Sequence, residues 1–210
     1  MTRRWVTERR SDHYYRKAKR ENYRSRASYK LMQIDERFHI LRKGMRVADL
    51  GAAPGGWLQV AKERVGDGVV VGVDLDPIRP MEGVTTIRGD MTEQATVERL
   101  IEALGGEADV VISDMSPNIS GNYHMDHARS IDLCMHAIGV SDRVLRKGGS
   151  LVMKVFMGDM MKDLRREVNA RFDNVKVHSP PASRSSSSEV YIVAKGHRGK
   201  PTSTAEGDSV

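Results

Sequence analysis

Lys154 is the residue least expected where it stands. It interrupts the apolar run Leu151-Val152-Met153-Lys154-Val155-Phe156, and an ammonium there needs a partner or a task, because desolvating it is costly. Snorkelling toward a strand end is the bland alternative. Other chemically competent residues flank similar runs: Asp74 after 69–73, Asp90 in Arg88-Gly89-Asp90, Asp114 in Ser113-Asp114-Met115 and Glu189 before 190–195. An acid at Asp74 suits the ribose hydroxyls of an adenosine ligand, and Asp90 could accept from its adenine amino group. Either could instead be a turn or helix cap. The first run enters Asp49-Leu50-Gly51-Ala52-Ala53-Pro54-Gly55-Gly56-Trp57, a glycine-rich turn before a helix start. Ala53 stands where a dinucleotide fingerprint needs its second glycine, and Pro54 removes an N–H that would cradle a pyrophosphate. The turn therefore favours a nucleoside cofactor without phosphates over NAD, although an NAD-dependent oxidoreductase shares the fold and Asp74.

The elements that must position these groups follow from periodicity. Ala27, Leu31, Ile34 and Phe38 form one stripe of a helix, with Ser25 as its expected cap. Val- and Ile-rich runs at 45–50, 69–75, 84–87, 109–112 and 150–156 read as strands, and near-continuous apolar ones suit strands covered on both faces. Helical patterns at 56–65, 93–104, 128–146 and 159–171 alternate with them, the third expected to end at Lys147-Gly148-Gly149. This alternation predicts an α/β fold, a mostly parallel sheet with helices on both faces. Runs at 174–178 and 190–195 have only a loop between them, which predicts an antiparallel closing pair. Ligands of such sheets bind beyond the strand C-termini. Gly51, Asp74, Asp90, Asp114, Lys154 and Glu189 all fall on that edge.

Composition narrows the setting. Residues 1–30 hold eleven Lys or Arg and three acids, a local charge of +8 in a chain of +6, so the remainder sums to −2. A basic segment carrying Trp5, Tyr14, Tyr15 and Tyr23 suits phosphate neutralisation and base stacking; a solvated tail is the alternative. The expected organisation is a basic arm at 1–21, one domain at 22–198 and a polar tail at 199–210. No apolar run is long enough for a membrane span, and Cys134, the single cysteine, excludes a cysteine-based metal cluster. A cytoplasmic monomer requiring no metal is the expectation.

The motifs together resemble the RrmJ/FtsJ (RlmE) family of ribosomal RNA ribose 2′-O-methyltransferases. The resemblance spans about residues 22–198 through SRASYKL (25–31), DLGAAPGGW (49–57), VDL (73–75), GD (89–90), SDMSPNISG (113–121), VMKVF (152–156) and SSEVYIVAKG (187–196). It implies a Rossmann-like fold of seven strands, the last antiparallel, with S-adenosylmethionine as cofactor. It further implies cofactor contacts at Gly55, Trp57, Asp74, Asp90 and Asp114, and a catalytic tetrad of Lys30, Asp114, Lys154 and Glu189. Lys154 would accept the proton of the ribose 2′-hydroxyl. The implied substrate is a uridine in large-subunit ribosomal RNA, as RNA or in the subunit, with tRNA methylation or a non-catalytic assembly role as alternatives. Arg16, Lys17, Lys19, Arg20, Arg24, Arg26 and Arg184 are the candidate RNA contacts.

Overall fold

The computed structural model describes residues 13–184 and 187–199. Residues 1–12 of the arm with Trp5, Ser185 and Ser186, and residues 200–210 lie outside the described residues. The strands are β1 (Arg46–Leu50), β2 (Val69–Asp74), β3 (Thr85–Arg88), β4 (Ala108–Ser113), β5 (Leu145–Phe156), β6 (Phe172–His178) and β7 (Glu189–His197). They form one sheet in the order β3-β2-β1-β4-β5-β7-β6. β1 to β5 are parallel, and β7 lies antiparallel between β5 and β6. The register sets Phe156 opposite Glu189 and Lys154 opposite Tyr191. Glu189 therefore reaches the edge where the parallel strands end.

The helices are α1 (His13–Arg20), α2 (Ser28–Phe38), α3 (Gly56–Val65), α4 (Gln94–Leu104), α5 (Tyr123–Val144) and α6 (Met161–Arg171). The sheet is apolar on both faces because both are covered. Leu31 and Ile34 of α2 and Leu58 and Ala61 of α3 pack with Val47, Ile112, Val152 and Tyr191 on one face. Val97, Leu100, Ile138, Leu164 and Val168 of α4 to α6 pack with Ala48, Val111, Leu151 and Met153 on the other. Among the described residues no helix is long and apolar enough to cross a membrane.

Several element boundaries differ from expectation, among them the start of α5 at Tyr123 rather than 128. α5 ends at Val144, and Lys147-Gly148-Gly149 lies inside β5, where the register against β4 shifts between Ala108 and Val110. Gly148 has φ +78°, so the glycines make an irregular strand entry rather than a helix stop. Ser25 is not a side-chain cap: the N-cap is Ala27, and Ser28 N–H donates to the Ser25 carbonyl. The Ser25 hydroxyl abuts Gly56, where any Cβ would lie 2.2 Å from it. Ser25 thus sets the close approach of α2 to the start of α3.

The described part of the basic arm is packed. Ala18 of α1 is buried with Tyr29 and Ala182, and Tyr14 and Tyr23 lie 5.4 and 5.7 Å from the Tyr29 ring. Lys17 Nζ sits 4.6 Å from the Tyr29 centroid. These tyrosines support the domain rather than standing free for base stacking.

Candidate active site

The turn after β1 opens a cleft of about 750 Å³ along the C-terminal edge of the sheet. Gly51 sits at its floor with φ +74°, and a Cβ there would lie 2.3 Å from Met115 Cγ. Only glycine lets the backbone turn this close to the loop after β4. Five carboxylates (Asp74, Asp76, Asp90, Asp114 and Asp132) line the cleft, against Arg129 as its one arginine. Such a field repels a pyrophosphate and favours a cationic ligand.

Two of these acids are held in place by backbone. Asp74 accepts from the N–H of Ala53 at 2.8 Å and from that of Asp76 at 2.8 Å, one bond per oxygen. Each oxygen keeps a lone pair for a further donor, as ribose hydroxyls require. Asp90 takes both Thr92 N–H and Thr92 Oγ1 on a single oxygen, each at 2.8 Å. Those bonds hold its carboxyl below the usual range and leave the second oxygen open as an acceptor. Carboxylate acceptors, a cleft of this size and no phosphate cradle fit S-adenosylmethionine, which carries hydroxyls, amino groups and a sulfonium but no phosphate.

Asp114 belongs to the cleft and to a second cluster. Its Oδ1 lies 3.1 Å from Lys154 Nζ and accepts from the Tyr191 hydroxyl at 2.7 Å; Lys154 also donates to the Asp114 carbonyl at 2.7 Å. Lys30 pairs with Glu189 at 2.5 Å, both side chains about nine-tenths buried. Lys30 Nζ lies 5.8 Å from the Tyr191 ring centroid. All four tetrad residues therefore meet, as two ion pairs flanking Tyr191. Burial pushes the Asp114 carboxyl up, but Lys154, Lys30 and the Tyr191 bond outweigh it and hold the group below its usual range. Burial, then the Asp114 and Glu189 charges, push the Tyr191 phenol well above its usual value, so it stays a donor. Cys134, whose thiol burial pushes up to about 12, supports Lys154 by donating to its carbonyl at 3.2 Å. Within the α3 side of the sheet lies Asp49, with no exposed surface and no hydrogen-bond partner for either oxygen among the described residues. Burial first, then Asp114 and Asp74, push its carboxyl well above the usual range, which favours the neutral acid.

Beside Lys30 and Glu189 a second cavity, about 370 Å³, is lined by Arg26, Arg184 and Ser187 as well. Three cations face one carboxylate there. Burial, then Arg184, lower the Arg26 guanidinium below its usual value, as crowded like charges do.

Not every expected contact reaches these cavities. The Trp57 side chain is buried, donates to the Ala27 carbonyl at 2.8 Å and packs on Tyr191 at 5.7 Å. It supports the sheet from behind, and only its backbone at the start of α3 faces the turn. Gly55 has φ +104° and caps α3; a Cβ there would meet Arg24 at 2.8 Å, so its role is to admit that guanidinium. Arg24 donates to the carbonyls of Pro54, Arg79 and Pro80 at 3.3, 2.6 and 2.8 Å. It straps the cofactor turn to the loop after β2 and is committed to protein rather than to RNA. Lys17 sits over Tyr29, and Arg20 pairs with Glu21 at 3.4 Å at the surface. Arg16 and Lys19 stand on the exposed side of α1. Tyr191, Asp49 and Met115 were missed. For Tyr191 a signal existed: a phenol in the apolar run Val190-Tyr191-Ile192-Val193 must find a polar partner once buried.

A family model described as FtsJ-like methyltransferase matches residues 23–197. The chain is similar to a ribosomal RNA large subunit methyltransferase E of Methanothrix thermoacetophila, 56% identical over 195 residues, covering 93% of this chain and 76% of the relative. One from Natronomonas pharaonis is 54% identical over 202 residues, covering 96% and 79%. Among solved structures, a ribosomal RNA methyltransferase from Plasmodium falciparum superposes with a TM-score of 0.75 at 25% identity, covering 85% of this chain and all of that one.

Proposed function

This chain belongs to the FtsJ-like methyltransferase family, and on that premise we propose that it methylates a ribose 2′-hydroxyl, most specifically of a uridine, in large-subunit ribosomal RNA. The observation that carries the reading is the double membership of Asp114, which lines the acidic cleft and anchors Lys154. A cofactor in the cleft and a hydroxyl at Lys154 would therefore meet at one residue. The names of the similar proteins support ribosomal RNA of the large subunit as the substrate.

S-adenosylmethionine, when bound, supplies a sulfonium methyl as the electrophile. Asp74 would take the ribose hydroxyls and Asp90 the adenine amino group, while the glycine floor at Gly51 leaves room for the rest. Asp114, held ionised by its two lysines, favours a positive charge at the reacting end. Lys154 would take the proton of the 2′-hydroxyl as the methyl passes from sulfur to that oxygen and the cofactor is released as a neutral thioether. Its two bonds to Asp114 fix where Nζ points, which is the positioning that such a step needs. Lys30 and Glu189 orient the ribose and balance charge beside it. Arg184 faces the substrate's phosphates from the second cavity, and Arg26, which donates to the Ala182 carbonyl at 2.5 Å, adds positive charge behind it. A monomer is the acting unit in this reading, and a ribosomal substrate supports a cytoplasmic setting.

The test is transfer of labelled methyl from S-adenosylmethionine to large ribosomal subunits, their protein-free RNA and tRNA, with nucleoside analysis of the product. A 2′-O-methylated uridine from the subunit or its RNA is the expected result. Label in tRNA alone would move the substrate, and no label in any of them would refute the reading.

A further inference from the structure

The described surface exposes nine large apolar side chains, and five of them crowd two neighbouring segments on the edge that carries Lys154. Ile119, Tyr123 and Met125 lie at the entry to α5; Met157 and Met160 lie between β5 and α6. Tyr123 is 51% exposed and Met157 44%, and the Tyr123 hydroxyl donates to the Met157 carbonyl at 2.6 Å. That bond fixes the ring in a half-exposed pose. His127 holds the same loop, pairing with the Phe156 carbonyl at 2.9 Å and accepting from Met160 N–H at 3.1 Å. Asp126 holds the other segment through Ser120 and Gly121. Buried polar groups thus support both segments beneath an apolar lip open to solvent, an arrangement that a surface without a ligand does not need.

The lip is continuous with the reaction centre. Met157 follows Lys154 by three residues, about 10 Å of extended chain, and its N–H donates to the carbonyl of Ser188, the neighbour of Glu189. Arg26 and Arg184 line the second cavity with Lys30 of α2 and Glu189, and neither Tyr123 nor Met157 lines it. A nucleotide with its ribose at Lys154 and a phosphate toward the arginines has this lip within reach of its base. A half-exposed aromatic ring, with the His124 ring 5.6 Å away and exposed methionines on the same two segments, suits a nucleobase face. A protein partner engages roughly 20 to 30 residues on a side, whereas this cluster has five exposed apolar ones.

Resting on the function proposed above, we infer that Tyr123 and Met157 form a stacking seat for an unpaired RNA base at or next to the methylated nucleotide. The experiment uses the full chain and whichever RNA or particle accepts label from the wild-type enzyme. Tyr123→Ala is expected to raise the KM for that substrate roughly 5- to 150-fold, the range for loss of one base–aromatic stack, with S-adenosylmethionine affinity and thermal midpoint little changed. Tyr123→Phe keeps the ring and is expected to restore most of the affinity. Irradiation of the wild-type complex at ultraviolet wavelengths is expected to leave a nucleotide adduct on the peptide bearing Tyr123. An unchanged KM for Tyr123→Ala, a Phe variant as impaired as Ala, or a crosslink from that peptide to a protein instead of a nucleotide would each overturn the inference. Absence of transfer by the wild-type enzyme would instead refute the underlying function, so the two failures are distinguishable.

Discussion

Replacing Asp49 by Asn should change how stability depends on pH, and the sign follows from the site. Asp49 has no solvent exposure and no partner among the described residues, and Asp114 and Asp74 both disfavour its ionisation. Its folded pKa is therefore raised above the unfolded value of about 3.9. The stability it contributes is fully present below that unfolded value and is lost as pH rises toward the folded pKa. Through that window the folded chain holds one proton that the unfolded chain has released, which costs about 1.4 kcal/mol per pH unit. Asn mimics the neutral acid in shape and does not titrate. Once the pH has passed the unfolded value, and until it reaches the folded one, each pH unit should cost the wild type about 1.4 kcal/mol relative to Asp49→Asn, or roughly 3–5 °C in thermal midpoint for a chain of this size. Paired unfolding curves in urea at pH 5, 5.5 and 6 measure the difference, and other titrating groups cancel because both proteins carry them. A difference that stays constant across the window would mean that Asp49 is ionised in the folded protein and would refute the reasoning.

The remaining predictions concern the site directly. Lys154→Ala should lower the single-turnover rate of methyl transfer about 10²- to 10⁴-fold while calorimetry still detects cofactor binding; near-normal transfer would end the assignment of Lys154 as proton acceptor. Arg24→Ala should weaken cofactor binding and lower the thermal midpoint, because three carbonyl contacts of the strap are lost. It should leave the salt dependence of RNA binding intact, and a flattened salt slope would restore Arg24 to the RNA surface. Arg184→Ala should weaken RNA binding and reduce the slope of log affinity against log salt by about one, measured by titration at several ionic strengths.

Much of this site is legible in the chain because its residues interrupt local patterns. Lys154 breaks an apolar run, and Gly51, Asp74, Asp90 and Asp114 each sit where a strand gives way to a turn. In an alternating parallel sheet those ends converge on one edge whatever the details of packing, so strand periodicity alone brings them together. The antiparallel return of β7 was equally readable, since a loop without a helix cannot carry a parallel crossover. What periodicity does not encode is which side chain meets which across the sheet. The division of the tetrad into Lys154–Asp114 and Lys30–Glu189, with Tyr191 between them, depends on the register of β7 against β5 and on the approach of α2. The fates of Arg24, Trp57 and the arm tyrosines depend likewise on close packing between elements far apart in sequence. A guanidinium or an aromatic ring looks the same in the chain whether it awaits RNA or a backbone carbonyl, and only the tertiary structure, by filling or leaving the space around it, decides between them.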